Sequence, residues 1–207
     1  RNSAYGSVVH VKTGTVNNIS GSYTNNKAVS GSSFAAGGAI YNSNSIGSIS
    51  GIFSNNEVKT DGTSTQSLAS SAISSSGGAI HNQGSIVSIK DSSFENNKAT
   101  GGAAKGGAIF SSEAGRSSGA IGEIVNSSFK NNVVTNTHTN TGDRYLAKGG
   151  AIYYESSDPS LTIKAQDGGV SEFSGNKTVQ TDGSAVNNAI YMGKKNAVLH
   201  LAAQPAG

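Results

Sequence analysis

The 207-residue chain has no cysteine, no tryptophan, one methionine and two prolines, and only 13% of its residues are charged. Without Cys there is no disulfide framework, and no thiolate can bind a metal or act as a nucleophile. No apolar run approaches the roughly 18 residues of a membrane helix. The most apolar stretch, Ala197 to Ala203, is interrupted by His200. A basic cluster is missing too: the formal net charge is +3, and Lys194-Lys195 is the only adjacent basic pair. That leaves no basic stripe interleaved with aromatics, the footprint of a nucleic-acid partner. Gly-x-Gly does not occur among the 28 glycines, so no dinucleotide fingerprint is present. Leu, Ile, Val and Phe together reach only about 19% of the chain, a level that accompanies disorder when net charge is high. Here it is low, so the chain reads as folded around a thin core. It begins at Arg1 without a signal peptide and is expected to be a piece of a longer precursor.

What the chain does have is a repeat. Gly-Gly-Ala-Ile occurs at Gly37–Ile40, Gly77–Ile80, Gly106–Ile109 and Gly149–Ile152, with a degenerate fifth copy at Asn187–Ile190. The copies start 40, 29, 43 and 38 residues apart. An aromatic-x-x-Asn motif alternates with them, at Tyr23–Asn26, Phe53–Asn56, Phe94–Asn97, Phe129–Asn132 and Phe173–Asn176. Between the two lies a short β-branched run, as in Ile46–Ile49, Ile86–Ile89, Ile121–Ile124 and Leu161–Ile163. Each unit therefore holds about three strand-like segments, and no stretch carries a helical apolar period. The turn signals of a propeller blade are sparse.

These features predict an all-β parallel β-helix (β-solenoid) of five repeats with about two rungs per repeat, occupying residues 1–207 as one segment. Adjacent rungs lie about 4.8 Å apart, so like residues stack on like. Phe and Tyr would form an internal column, and Asn26, Asn56, Asn97, Asn132 and Asn176 an amide ladder. Gly-Gly would supply a tight corner, with Ala leaving room before Ile re-enters the core.

The paired motifs, as in GGAIYN at Gly37–Asn42 with FSNN at Phe53–Asn56, resemble the repeats of chlamydial polymorphic outer-membrane proteins and related autotransporter (type V secretion) passengers. The stretch Leu161 to Ala203 is similar to late rungs of AIDA-like adhesins. The resemblance implies a right-handed winding, export through a membrane barrel that is not present in this chain, and a location at the bacterial cell surface or outer membrane, or release from it. It also implies an adhesin whose partner is a host cell-surface or matrix receptor, protein or glycan.

No chemistry competes with that expectation. The six Asp (Asp61, Asp91, Asp143, Asp158, Asp167, Asp182) fall at unrelated points of the repeat, whereas glycan-cleaving sites need paired carboxylates. The Gly-x-Ser-x-Gly at Gly115–Gly119 lacks a strand-turn-helix context and is expected by chance. His10, His81, His138 and His200 show no ligand spacing. No enzyme activity, cofactor or metal is expected. Insertions distinguish the repeats, near residues 60–76 and 135–148, and the second is the better recognition candidate because it holds His138, Asp143, Arg144 and Tyr145. Three functions follow from this: adhesion to a host receptor, self-association between bacteria in aggregates or biofilm, and a glycan-binding or glycan-cleaving β-helix. A protruding aromatic and basic loop favours the first, a flat polar ladder the second, and an acidic cluster on one face the third.

Overall fold

A computed structural model describes residues 3–31, 33–61, 74–115, 117–138 and 146–203. Every element among them is a β-strand, and the strands build four sheets. Sheet I holds Ala4–Tyr5, Phe34–Ala36 and Ser74–Ser76. Sheet II stacks Val9–Val11, Ile40–Asn42, Ile80–Asn82, Ile109–Ser112, Ile152–Glu155 and Ile190–Met192. Sheet III is the widest and begins with two ten-residue strands, Thr15–Thr24 and Ser45–Ser54. Sheet IV runs from Lys27–Ser30 through Glu57–Thr60, Lys98–Gly101 and Val133–Asn136 to Lys177–Val179, and ends on Ala185–Asn187. The chain visits sheets I, II, III and IV in turn and starts again one level up, an arrangement compatible with a β-solenoid.

The strand register corrects the expected two rungs per repeat: one repeat is one coil. Ile40 pairs directly with Ile80, Ile80 with Ile109, Ile109 with Ile152 and Ile152 with Ile190. The coil is wider than expected because it encloses two apolar columns instead of one. The larger, between sheets II and III, contains Ile40, Ile80, Ile109 and Ile152 with Phe53, Phe94 and Phe129. The smaller, between sheets I and IV, is built from Ala28, Ala35, Val58, Ala99, Ala104, Val134 and Ala147. Below the first Gly-Gly-Ala-Ile copy the register adds a level that its sequence conceals: Val9 takes the Ile position opposite Ile40.

Both motifs owe their composition to the corners. The first glycine of each pair (Gly37, Gly77, Gly106, Gly149) has φ between +62° and +68°, the left-handed region. The second faces the backbone of the next level: a Cβ on Gly78 would collide with the Gly107 carbonyl oxygen and lie 2.6 Å from Lys98 N. In aromatic-x-x-Asn the residue before the ladder Asn takes the left-handed conformation, at Asn25, Asn55, Asn96, Asn131 and Gly175. The following Asn forms the expected ladder. Asn56 Nδ2 donates to Asn97 Oδ1 at 2.9 Å, Asn97 Nδ2 to Asn132 Oδ1 at 3.0 Å and Asn132 Nδ2 to Asn176 Oδ1 at 2.9 Å. Each Nδ2 also donates to the carbonyl of an aromatic on the level before, Tyr23, Phe53 and Phe94 respectively. Beside the ladder, Tyr23, Phe53, Phe94, Phe129 and Phe173 stack at 4.7 to 4.9 Å with ring planes within 7°.

The insertions are shorter than their sequence boundaries. Thr60 ends a strand of sheet IV, Ser74–Ser76 belongs to sheet I, Thr135 and Asn136 lie in sheet IV, and Lys148 bridges to Lys105. Ladder pairing claims these flanks because their backbones stack on the neighbouring level.

Candidate functional surface

Both insertions leave the end of sheet IV and re-enter at sheet I, one after Thr60 and the other after Asn136, so they share one edge of the coil. Of the four residues expected to form a recognition loop, only His138 is described; Asp143, Arg144 and Tyr145 lie outside the described residues. His138 is half-buried, its N–H donates to Asn136 Oδ1 at 2.9 Å, and its carbonyl accepts from Thr181 Oγ1 at 2.5 Å. These bonds fix the take-off of the second insertion.

Next to that edge, the corner between sheets I and II carries a feature the sequence motifs did not disclose. In each sheet II strand the residues at the Ile40 and Asn42 positions point inward, so the one between them points out. Tyr41, His81, Phe110, Tyr153 and Tyr191 occupy that outward position and stack, with centroids 4.9, 4.6, 5.2 and 5.2 Å apart. His10 closes the lower end edge-on to Tyr41. The signal was present in the sequence as an aromatic or His after each Ile, but its mixed chemistry hid the column.

Sheet I lines the other wall of the corner. Ala36, Ser76, Lys105 and Lys148 follow one another in register, small residues below and cations above. Lys105 Nζ lies 4.5 Å from the Tyr153 ring centroid and donates to its hydroxyl at 3.1 Å. Lys148 repeats this one level up, 4.8 Å from the Tyr191 ring and 3.2 Å from its hydroxyl. Tyr153 in turn donates to Glu155 Oε2 at 2.5 Å. Each cation is thus held against an aromatic face, where the ring quadrupole favours it. Lower in the corner, burial, with a smaller contribution from Tyr5, pushes the Tyr41 phenol up to about 12. Desolvation takes the His81 imidazole down to about 3.

Carboxylates are distributed singly. Glu57 pairs with Lys27, Asp61 with Lys59, Glu113 with Lys194 and Glu172 with Lys130, while Glu123 lies between Lys90 and Lys164. Asp158 and Asp182 accept the N–H two residues on, as turn residues do. Ser117 of the Gly-x-Ser-x-Gly match sits in a tight turn, exchanging backbone hydrogen bonds with Ala114. Among the described residues no group of three or more His, Asp or Glu gathers as a metal cage.

The outer face of sheet III differs between its two ends. On the first two levels it is uncharged and hydroxyl-rich, with Thr24 linked to Ser54 at 3.1 Å and Ser48 donating to Asn18 at 2.6 Å. Higher levels carry the Lys90–Glu123–Lys164 and Lys130–Glu172 ion pairs.

Residues 91–112 match the Chlamydia polymorphic membrane protein (Chlamydia_PMP) repeat. The matched stretch runs from Asp91 through Phe94 and the ladder residue Asn97 to the Gly-Gly-Ala-Ile corner at Gly106–Ile109 and the strand that follows it, less than one full coil. No curated protein matches the chain, and no solved structure does.

Proposed function

We propose that this chain is part of the surface passenger of a bacterial autotransporter, wound as a right-handed β-solenoid, and that it acts as an adhesin for a host-cell or matrix receptor, without catalysis, cofactor or metal. The observation that carries this is the polymorphic membrane protein repeat at residues 91–112, whose defining residues are spent on the interior. Phe94, Asn97, Ala108 and Ile109 are fully buried. The motif is therefore scaffold, and receptor contacts fall to what lies outside it. The edge bearing both insertions has Tyr191 beside the return of the second, with Lys148 held against its ring, and tyrosine is among the residues that dominate binding energy elsewhere. A paired-carboxylate reaction finds no support, since Glu57, Asp61, Glu113, Glu123 and Glu172 are each matched to lysine and Asp158 and Asp182 to turn N–H groups.

The test uses the chain displayed on beads or on non-adherent bacteria. Deleting residues 139–145 should abolish attachment to host cells while far-UV circular dichroism stays unchanged. Undiminished attachment would rule out that insertion as the contact.

A second reading, self-association between bacteria, is favoured by the uncharged hydroxyl ladder on the lower levels of sheet III. Many weak polar contacts add when identical faces meet. Placing Lys at Ser20 and Ser50, which pair in register on that face, should disperse aggregates yet leave host attachment intact. Aggregation that persists would count against this second reading.

A further inference from the structure

The outward aromatic column has two His rungs, the exposed His10 at its lower end and the buried His81 within it. At the position filled by Tyr41, Phe110, Tyr153 and Tyr191 on other levels, the third level carries His81. Its ring lies between Tyr41, 4.9 Å below and 11° from parallel, and Phe110, 4.6 Å above and 23° from parallel. Phe34 of sheet I meets it edge-on at 5.5 Å. Only 1% of the residue is exposed. Nδ1 lies 2.8 Å from Ser76 Oγ, and Nε2 has no hydrogen-bond partner. A neutral imidazole tolerates this site because the tautomer can leave Nε2 without a proton. An imidazolium cannot, since its second N–H would be buried without an acceptor.

The groups around the ring do not offset its burial. Tyr41, from the level below, gives its proton to Gln83 Oε1 at 2.6 Å and stays neutral to high pH. From sheet I, Ser76 contributes a hydroxyl and a backbone hydrogen bond that favours the charged ring less than burial opposes it, and Lys105, its register partner one level up, is itself cationic and turned to Tyr153. No carboxylate acts on the ring.

Ser76 gives the site its reach. It ends Ser74–Ser76, the segment through which the insertion after Thr60 re-enters the coil. That segment contains nothing but serine. It is held by Lys105 N–H to Ser75 O at 3.0 Å, Gly37 N–H to Ser76 O at 3.1 Å and Ser75 Oγ to Thr100 O at 2.6 Å.

We propose that His81 and Ser76 form an acid-released latch: protonation of His81 expels its ring from the aromatic column and frees Ser74–Ser76 from sheet I. The sign follows from burial. The closed ring resists protonation down to about pH 3, and the released ring titrates near 6.5. The latch is therefore fully closed above 6.5 and weakens progressively as pH falls below it. This inference is independent of the adhesin reading, because it concerns opening of the fold and not what binds.

The experiment is hydrogen exchange on the intact chain at pH 7 and pH 5, expressed as protection factors so that the intrinsic pH dependence cancels. The amides of Gly37 and Lys105, which bond to Ser76 and Ser75, should lose about 25-fold in protection between pH 7 and pH 5, the ratio that follows when only the open ring titrates, near 6.5. Amides of the corner between sheets III and IV, such as Asn97 and Asn132, should not change. His81→Phe, with the side chain of the next level, and His81→Tyr, with that of the level below, should each abolish the loss. A loss that survives in both variants overturns the latch, as does an equal loss at the Asn97 and Asn132 corner, which would mean global unfolding. If one variant fails to fold, the other decides.

Discussion

Truncating a middle rung of the Asn ladder should cost far more than truncating its first rung, although the residue type is the same. Asn97 uses its whole amide: Nδ2 donates to Phe53 O at 2.8 Å and to Asn132 Oδ1 at 3.0 Å, while Oδ1 accepts from Asn56 N at 3.1 Å and Asn56 Nδ2 at 2.9 Å. Asn97→Ala removes all four bonds inside a fully buried corner and strands the Asn56 N–H without an acceptor. At about 1 kcal/mol net per bond, the loss is about 4 kcal/mol. Asn26, at the first level, is half-buried, and its side chain makes one bond, Nδ2 to Asn56 Oδ1 at 2.8 Å. Asn26→Ala should therefore cost about 1 kcal/mol. Urea unfolding of both variants followed by far-UV circular dichroism gives the comparison directly. If the two losses agree within about 1 kcal/mol, the ladder is not the four-bond network described, and its bonds merely replace those to water.

Gly107→Ala should destabilise by about 3 kcal/mol or prevent folding, because the new Cβ would strike the Gly150 carbonyl and lie 2.8 Å from Val133 N. Gly31→Ala, with open space around it, should be neutral in the same melt. Tyr41 should ionise late in an ultraviolet titration, near pH 12 against an ordinary 10. Its raised value means that the fold keeps this contribution below pH 10 and loses it as pH climbs towards 12, a loss that Tyr41→Phe should remove. Glu123→Gln should cost at most about 1 kcal/mol despite two lysine partners, since the group is part-exposed and its ion pairs are screened; a larger loss on denaturation would show a buried role.

The interior of this coil could be read from spacing because each rung repeats a requirement that few residue types meet. Only glycine fits where Gly78 faces the next level's carbonyl, and a side-chain amide supplies both the two donated and the two accepted bonds that Asn97 makes. Coil width was another matter. Whether Ile80 pairs with Ile40 or with something half a repeat away depends on how many corners close the coil, a non-local quantity to which no single residue testifies. The alanine-rich second column hides the coil's width, since Ala35, Ala99 and Ala104 look like spacers in sequence and serve as core in space. The outward aromatic column escaped for a different reason. Tyr, His and Phe satisfy its stacking equally well, so the position looked variable although its geometry is constant. A second inward ladder, Asn42 to Asn82 at 2.7 Å and Asn82 to Ser111 at 2.9 Å, changes residue type along its length and was missed for the same reason.

The strand pair that closes sheet IV, Lys177–Val179 against Ala185–Asn187, runs antiparallel, whereas the other strand pairs among the described residues run parallel. A parallel contact on this chain ties together residues a whole coil apart, so it closes a loop of 29 residues or more. The hairpin closes one of five, residues 180–184. With closure entropy growing as the logarithm of length, that difference is worth about 2 kcal/mol in favour of the hairpin. In an array where each level is otherwise held only by its neighbours, the level of Lys177–Val179 thus carries one contact that forms without waiting for the level below to be in place. It is a natural starting point from which ordering can spread.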